Sequence, residues 1–232
     1  MNPTDYTHYS NPEYITVNEQ SNSIYFNGGV TTNSMSQLTE KLLQMEQKIL
    51  KKQRVMKRKF EQIKLDKPDK SDKSDKSDKF SDLDELELED LFEFEIKPKP
   101  IKLYITSNGG LVYQVFTAID TIKGLKVPVH TICRGMVASA GTLLSLAGKK
   151  RFITENSYML IHELRAGSWG KFTELSESFE NHRQLMEHLK SYYLKKIKMT
   201  AEELDTQLVK DVCWNAQTCL EKGLVDEIIK YE

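Results

Sequence analysis

The sequence predicts an α/β protein built on a largely parallel, twisted sheet. Three observations carry that prediction. Short apolar, β-branched runs alternate with helix-period segments through the second half of the chain. Small-residue and glycine turns follow two of the runs, at Ser107–Gly110 and Arg134–Gly135. The polar residues are spread unevenly, densest in the charged stretch at about 44–100.

Ile24–Phe26, ending at Asn27-Gly28-Gly29, reads as a first strand feeding a helix. From Met35 to Lys64, Leu38, Leu42, Met45, Ile49, Met56, Phe60 and Ile63 recur at spacings of three, four or seven, which is one face of a helix. Its second half is strongly basic. An Asp-Lys-Ser repeat follows from Asp66 to Asp82, and then an acidic run from Leu83 to Glu95. The repeat cannot bury enough apolar surface to offset its ordering entropy and is expected to be solvated. The basic and acidic stretches are suited to pairing with each other.

Ile101–Thr106 is a second strand and Val112–Ile122 a helix. Val127–Cys133 is a buried-type strand leading into a helix expected at Ala138–Ala147. Arg151–Ile153 and Tyr158–Ile161 read as short strands. Phe172–Lys198 is a long amphipathic helix, with Leu175, Phe179, His182, Met186, Leu189, Tyr193 and Ile197 on one face. A shorter helix starts at Ala201, with Thr200 as its N-cap.

The chain has 232 residues, 33 of them Lys or Arg and 34 Asp or Glu, for a formal net charge of −1. That balance argues against a protein built to coat nucleic acid or an anionic membrane. No run reaches the roughly 18 apolar residues of a membrane-spanning helix. The first residues lack the basic and apolar regions of a secretory leader. Three cysteines, Cys133, Cys213 and Cys219, form neither a CxxC pair nor a disulfide framework. A cytoplasmic protein is the simplest expectation.

Groups that do chemistry on α/β sheets gather at the carboxyl ends of strands. Ser139 lies at such an end, in Val137-Ala138-Ser139-Ala140-Gly141. Small neighbours leave its hydroxyl unencumbered, and main-chain N–H groups at the helix start suit a developing negative charge. A nucleophilic serine needs a base. His8 lies in a polar tail, His130 sits mid-strand, and His182 and His188 lie on the long helix. His162 ends the run YMLIH and is the best-placed histidine. Ala166 stands where a second zinc-binding histidine would be needed after His162-Glu163. For an orienting carboxylate, the residues leave Asp205, Asp211 and Asp226 open.

The pieces LYITSNGG, AIDTIKGLKVPVHTICRGMVASAGTLLSLAG, KRFITENSYMLIHE and KDVCWNAQTCLEKGLVDEII, in that order, resemble the proteolytic subunit of the Clp protease. Residues Asn22–Leu43 resemble its first strand and helix. The resemblance implies a ClpP/crotonase-like fold with a long handle-type helix. It also implies a Ser-His-Asp triad of Ser139, His162 and Asp211, with an oxyanion hole from the N–H groups of Gly110 and Ala140. Substrate would be bound by Gly109, Gly110, Glu163 and Leu164. Asp226 then falls on the terminal GLVD, which is not catalytic in that family.

The implied organisation is a flexible N-terminal segment over 1–21 and one domain over 22–232. A charged insert at about 44–100 interrupts that domain and is absent from the ordinary family plan. The implied function is serine endopeptidase activity on unfolded proteins or peptides inside stacked heptameric rings, with an AAA+ unfoldase as partner. No cofactor is expected in this subunit, since ATP would be used by the partner ATPase. The alternatives are a non-catalytic ring subunit and a crotonase-type acyl-CoA hydratase or isomerase. The chain departs from the family at Asn108, Ala140, and Glu163-Leu164-Arg165, which bring charge toward the substrate strand.

Overall fold

The computed structural model describes residues 14–65 and 98–231. The Asp-Lys-Ser repeat and the acidic run lie outside them. An eight-stranded sheet runs in the order β1 (Tyr14–Asn18), β2 (Ser23–Asn27), β3 (Ile101–Ser107), β4 (Val129–Ala138), β5 (Lys150–Thr154), β8 (Glu227–Ile229). The short strands β6 (Tyr158–Leu160) and β7 (Trp214–Asn215) branch from the upper part of β4. Pairing is parallel throughout, except between β1 and β2 and between β6 and β7.

The alternation read from the sequence is present, and its details differ in instructive ways. Residues 14–18 were expected to belong to a flexible segment, yet they form edge strand β1 on β2. The helix α1 spans Thr32–Leu65 without a break at Gln44. Met45 and Ile49, expected to start the insert, are buried in the core. Beyond Ile49, no residue of α1 through Gln62 is buried.

The third strand shows how the core is arranged. Ile101, Leu103, Ile105 and Ser107 are buried, whereas Lys102, Tyr104 and Thr106 are not. This two-residue period means that one face of the sheet is packed and the other is open. On the packed side, Leu38 and Leu42 of α1 share the core with Val115 and Ile119 of helix α2 (Val112–Gly124). The open face carries Tyr25 stacked on Tyr104, ring centroids 4.7 Å apart. Here His130 lies beside Phe152, centroids 5.8 Å apart.

Helix α3 spans Ala140–Ser145, shorter than the expected Ala138–Ala147. The reason is that β4 runs on to Ala138, held by β6 at Met136, Val137 and Ala138. Helix α4 spans Phe172–Leu194 and stops one turn before the expected Lys198, where bonds from Lys196 and Ile197 N–H to Tyr193 O tighten the end. Its stripe is buried only in the second half, at Leu185, Leu189, Tyr192 and Tyr193. In the first half Phe172 is 85% exposed and Phe179 71% exposed. Helix α5 (Ala201–Leu208) is capped as expected: Thr200 Oγ1 accepts from Glu203 N–H at 3.1 Å, and Glu203 accepts from Thr200 N–H at 2.9 Å. The short α6 (Ala216–Glu221) precedes β8. No helix among the described residues is long and apolar enough to cross a membrane.

Candidate active site

Ser139 occupies the turn between β4 and α3 with φ 53° and ψ −126°. A non-glycine residue in this region costs about 1–3 kcal/mol and persists only where its surroundings hold it. Four contacts do so. Ser139 N–H donates to Leu160 O at 2.8 Å. Ser139 O accepts from Thr142 N–H at 2.9 Å and from Thr142 Oγ1 at 2.7 Å. Thr142 Oγ1 also lies 2.6 Å from the hydroxyl of the buried Tyr193.

The small residues around Ser139 are explained by contact. A Cβ on Gly109 would lie 2.6 Å from Ser139 Cβ and 2.8 Å from Ala138 O, and Gly109 also has φ +92°. A Cβ on Gly141 would lie 3.0 Å from Ser107 Cβ. Ser107 Oγ in turn accepts from Gly109 N–H at 3.1 Å. The glycine turn after β3 and the serine turn after β4 are thus pressed together.

The two N–H groups expected to face a substrate oxygen have no obvious internal use. Ala140 is the first residue of α3, where an N–H has no intrahelical acceptor. The bridge of Gly110 to Val30 is made by Val30 N–H to Gly109 O and Leu111 N–H to Val30 O, each 2.8 Å. That pattern turns the N–H of Gly110 away from Val30.

His162 lies two residues past the end of β6, the strand whose last residue, Leu160, accepts the Ser139 N–H. Its Nδ1 is buried and has no hydrogen-bond partner. The antiparallel ladder pairs Tyr158 with Asn215 and Met159 with Trp214. From the other side, Glu163 N–H donates to Leu208 O at 2.8 Å. These two anchors differ in register by two residues, so the exposed stretch 209–213 bows outward as it passes His162.

Each of the three aspartates left open by the sequence pairs with a cation. Asp205 pairs with Lys190 at 2.8 Å. Asp226 accepts from the N–H and side chain of Arg151. Asp211 lies on the stretch beside His162, but its carboxylate pairs with Arg165 Nη2 at 2.5 Å. Among the described residues, no hydrogen bond joins Ser139, His162 and Asp211. Glu163 is exposed, and Leu164 packs partly against the core.

Sequence reasoning missed Arg165 as a carboxylate partner, and it missed Thr142 and Tyr193 as supports of the serine turn. Arg165 carried a signal, being a cation three residues after the candidate base. Tyr193 carried none, because its reach to Thr142 depends on how α4 crosses the core.

The class defined by this fold is an α/β protein with a mostly parallel sheet, in which the glycine turn after β3 packs against the serine turn after β4. Residues 86–232 match the Clp protease family model. The chain belongs to the Clp protease family, a family of peptidases.

Proposed function

We propose that the chain is a serine endopeptidase acting on unfolded polypeptides or peptides through Ser139, His162 and Asp211. The observation that carries this reading is the strained serine turn, fastened through Leu160 O to the end of β6, two residues before His162. Ser139 Oγ attacks the substrate carbonyl, and His162 takes its proton and returns it to the leaving amine. Asp211, when it faces Nδ1, fixes the imidazole tautomer and stabilises the imidazolium. The N–H groups of Gly110 and Ala140 receive the oxyanion, and losing one such donor typically costs about 10²–10³ in kcat. Gly109, Gly110, Glu163 and Leu164 line the path of the substrate strand.

The assembly belongs to the same proposal. Phe172, Leu175 and Phe179 recur on the exposed half of α4, an apolar stripe suited to a second copy of the chain. We read α4 as the handle of a ClpP/crotonase-like fold, joining stacked heptameric rings in the cytoplasm. An AAA+ unfoldase would feed the chamber and use the ATP, and this subunit would need no cofactor. In this reading one domain carries the whole sheet, β1 included, and the charged insert departs from the ring-forming plan.

A second reading, a ring subunit without catalysis, is favoured by one observation: Asp211 pairs with Arg165 instead of His162. Fluorophosphonate labelling and peptide hydrolysis by wild type and Ser139→Ala distinguish the two. Labelling of wild type alone supports the peptidase, and equal labelling of both removes Ser139 as the nucleophile. Wild type that assembles but neither labels nor hydrolyses supports the second reading. Binding of acyl-CoA in calorimetry would instead favour hydratase or isomerase chemistry.

A further inference from the structure

Three facts meet at the end of β6. Asp211 lies in the stretch between Leu208, whose O accepts from Glu163 N–H, and Trp214, which pairs with Met159, so the stretch passes His162. The Nδ1 of His162 is buried and has no partner. The Asp211 carboxylate is nevertheless occupied, by a guanidinium three residues beyond the histidine.

We propose that Arg165 is a positioning residue that holds Asp211 off His162, so that the resting protein keeps its carboxylate and its imidazole uncoupled. The proposal rests on the peptidase reading and adds a control to it.

The chemistry of the pair suits a latch that opens. The side chains of Arg165 and Asp211 are 60% and 45% exposed. An exposed ion pair shifts an equilibrium by no more than about fivefold and weakens as salt screens it. The competing contact, Asp211 to Nδ1, would be made at a buried nitrogen, and the cost of taking the carboxylate out of water offsets the bond it gains there, so that a weak exposed pair is enough to tip the balance. The backbone allows the exchange, since residues 209–213 are exposed and carry two residues beyond what the ladder needs. Arg165 also lies in the exposed extended stretch after His162, where a substrate strand or a neighbouring subunit would meet it.

The test compares wild type, Arg165→Gln, Arg165→Lys and Asp211→Asn in the full-length protein. The rate of fluorophosphonate labelling at Ser139 is followed from low to high salt. We expect Arg165→Gln to label about two to five times faster than wild type at low salt. Its rate should be nearly flat with salt, while that of wild type climbs. Arg165→Lys keeps the charge and should stay close to wild type. By proton NMR, the Nδ1–H of His162, assigned through His162→Asn, should move downfield in Arg165→Gln as it gains a carboxylate acceptor.

Labelling of Arg165→Gln at or below the wild-type rate, with Asp211→Asn far slower, overturns the latch and leaves the triad standing. Asp211→Asn labelling like wild type overturns the triad itself, and the latch with it. Where no variant labels, the NMR shift still decides: an unmoved Nδ1–H in Arg165→Gln rejects the latch.

Discussion

Ser139 hands its main-chain N–H to the carbonyl oxygen of Leu160 across 2.8 Å. The serine turn and the histidine strand are therefore one mechanical unit, and the glycine turn at Gly109 is wedged against it.

Gly109→Ala tests that wedge. The new methyl would meet Ser139 Cβ at 2.6 Å and Ala138 O at 2.8 Å, in a backbone conformation that disfavours any side chain. We expect a loss of about 2–4 kcal/mol in denaturant unfolding. Labelling at Ser139 should fall by more than the unfolded fraction accounts for. Gly124→Ala is the control, because a Cβ there meets nothing within 4 Å.

The ion pair behind the sheet sets an acid limit. The Arg151 side chain is only 14% exposed and also donates to Lys196 O and Gly223 O. Burial pushes the Asp226 carboxyl up, but hydrogen bonds from the Arg151 side chain and N–H, with its charge, outweigh this and hold it below the ordinary carboxylate range. A carboxylate lowered by folding stabilises fully above its unfolded value near pH 4, and that contribution fades as pH falls through the lowered value. Arg151→Ala should cost about 2–4 kcal/mol at pH 7. For Asp226→Asn, the gap to wild type should narrow below about pH 4, as followed by thermal melts across pH. A constant gap down to pH 2 would contradict this assignment.

The cysteines should react very unequally. Burial pushes the Cys133 thiol up to about 12. Burial, with Cys133 nearby, pushes the Cys219 thiol up to about 12 as well. Cys213 is exposed. At pH 8, iodoacetamide should modify Cys213 in the folded protein and reach the other two only on unfolding, read by mass spectrometry of tryptic peptides.

The exposed half of α4 should govern assembly. Phe179→Asp, alone and with Phe172→Asp, should move the native mass toward the 26.8 kDa chain without lowering the melting temperature of the subunit by more than a few degrees. Rings that persist in the double variant would place the contact elsewhere.

The parts legible from sequence were those with a local cause. Thr200 and Glu203 announce the start of α5, and the spacing of Leu38, Leu42, Met45 and Ile49 announces the buried face of α1. Ser139 and His162 stand out in the sequence as candidates because each ends an apolar run at a turn. Most of what escaped was set by distant partners. Strand β4 outlasts its expected end because β6 pairs with Met136–Ala138, whereas β1, Tyr-Ile-Thr-Val-Asn, carried a local strand signal that was passed over. The partners of the three aspartates could not be read locally, because Lys190, Arg165 and Arg151 each lie elsewhere in the chain.

Helix α1 has a structural consequence of another kind. Its anchored face ends at Ile49, and the rod continues to Leu65, about 24 Å at 1.5 Å per residue. Each turn inserted there would carry its tip about 5.4 Å farther out and leave every residue of the hydrolytic machinery where it is. The protein thus owns an adjustable reach, graduated in helical turns, that evolution or an engineer can lengthen or trim independently of its chemistry.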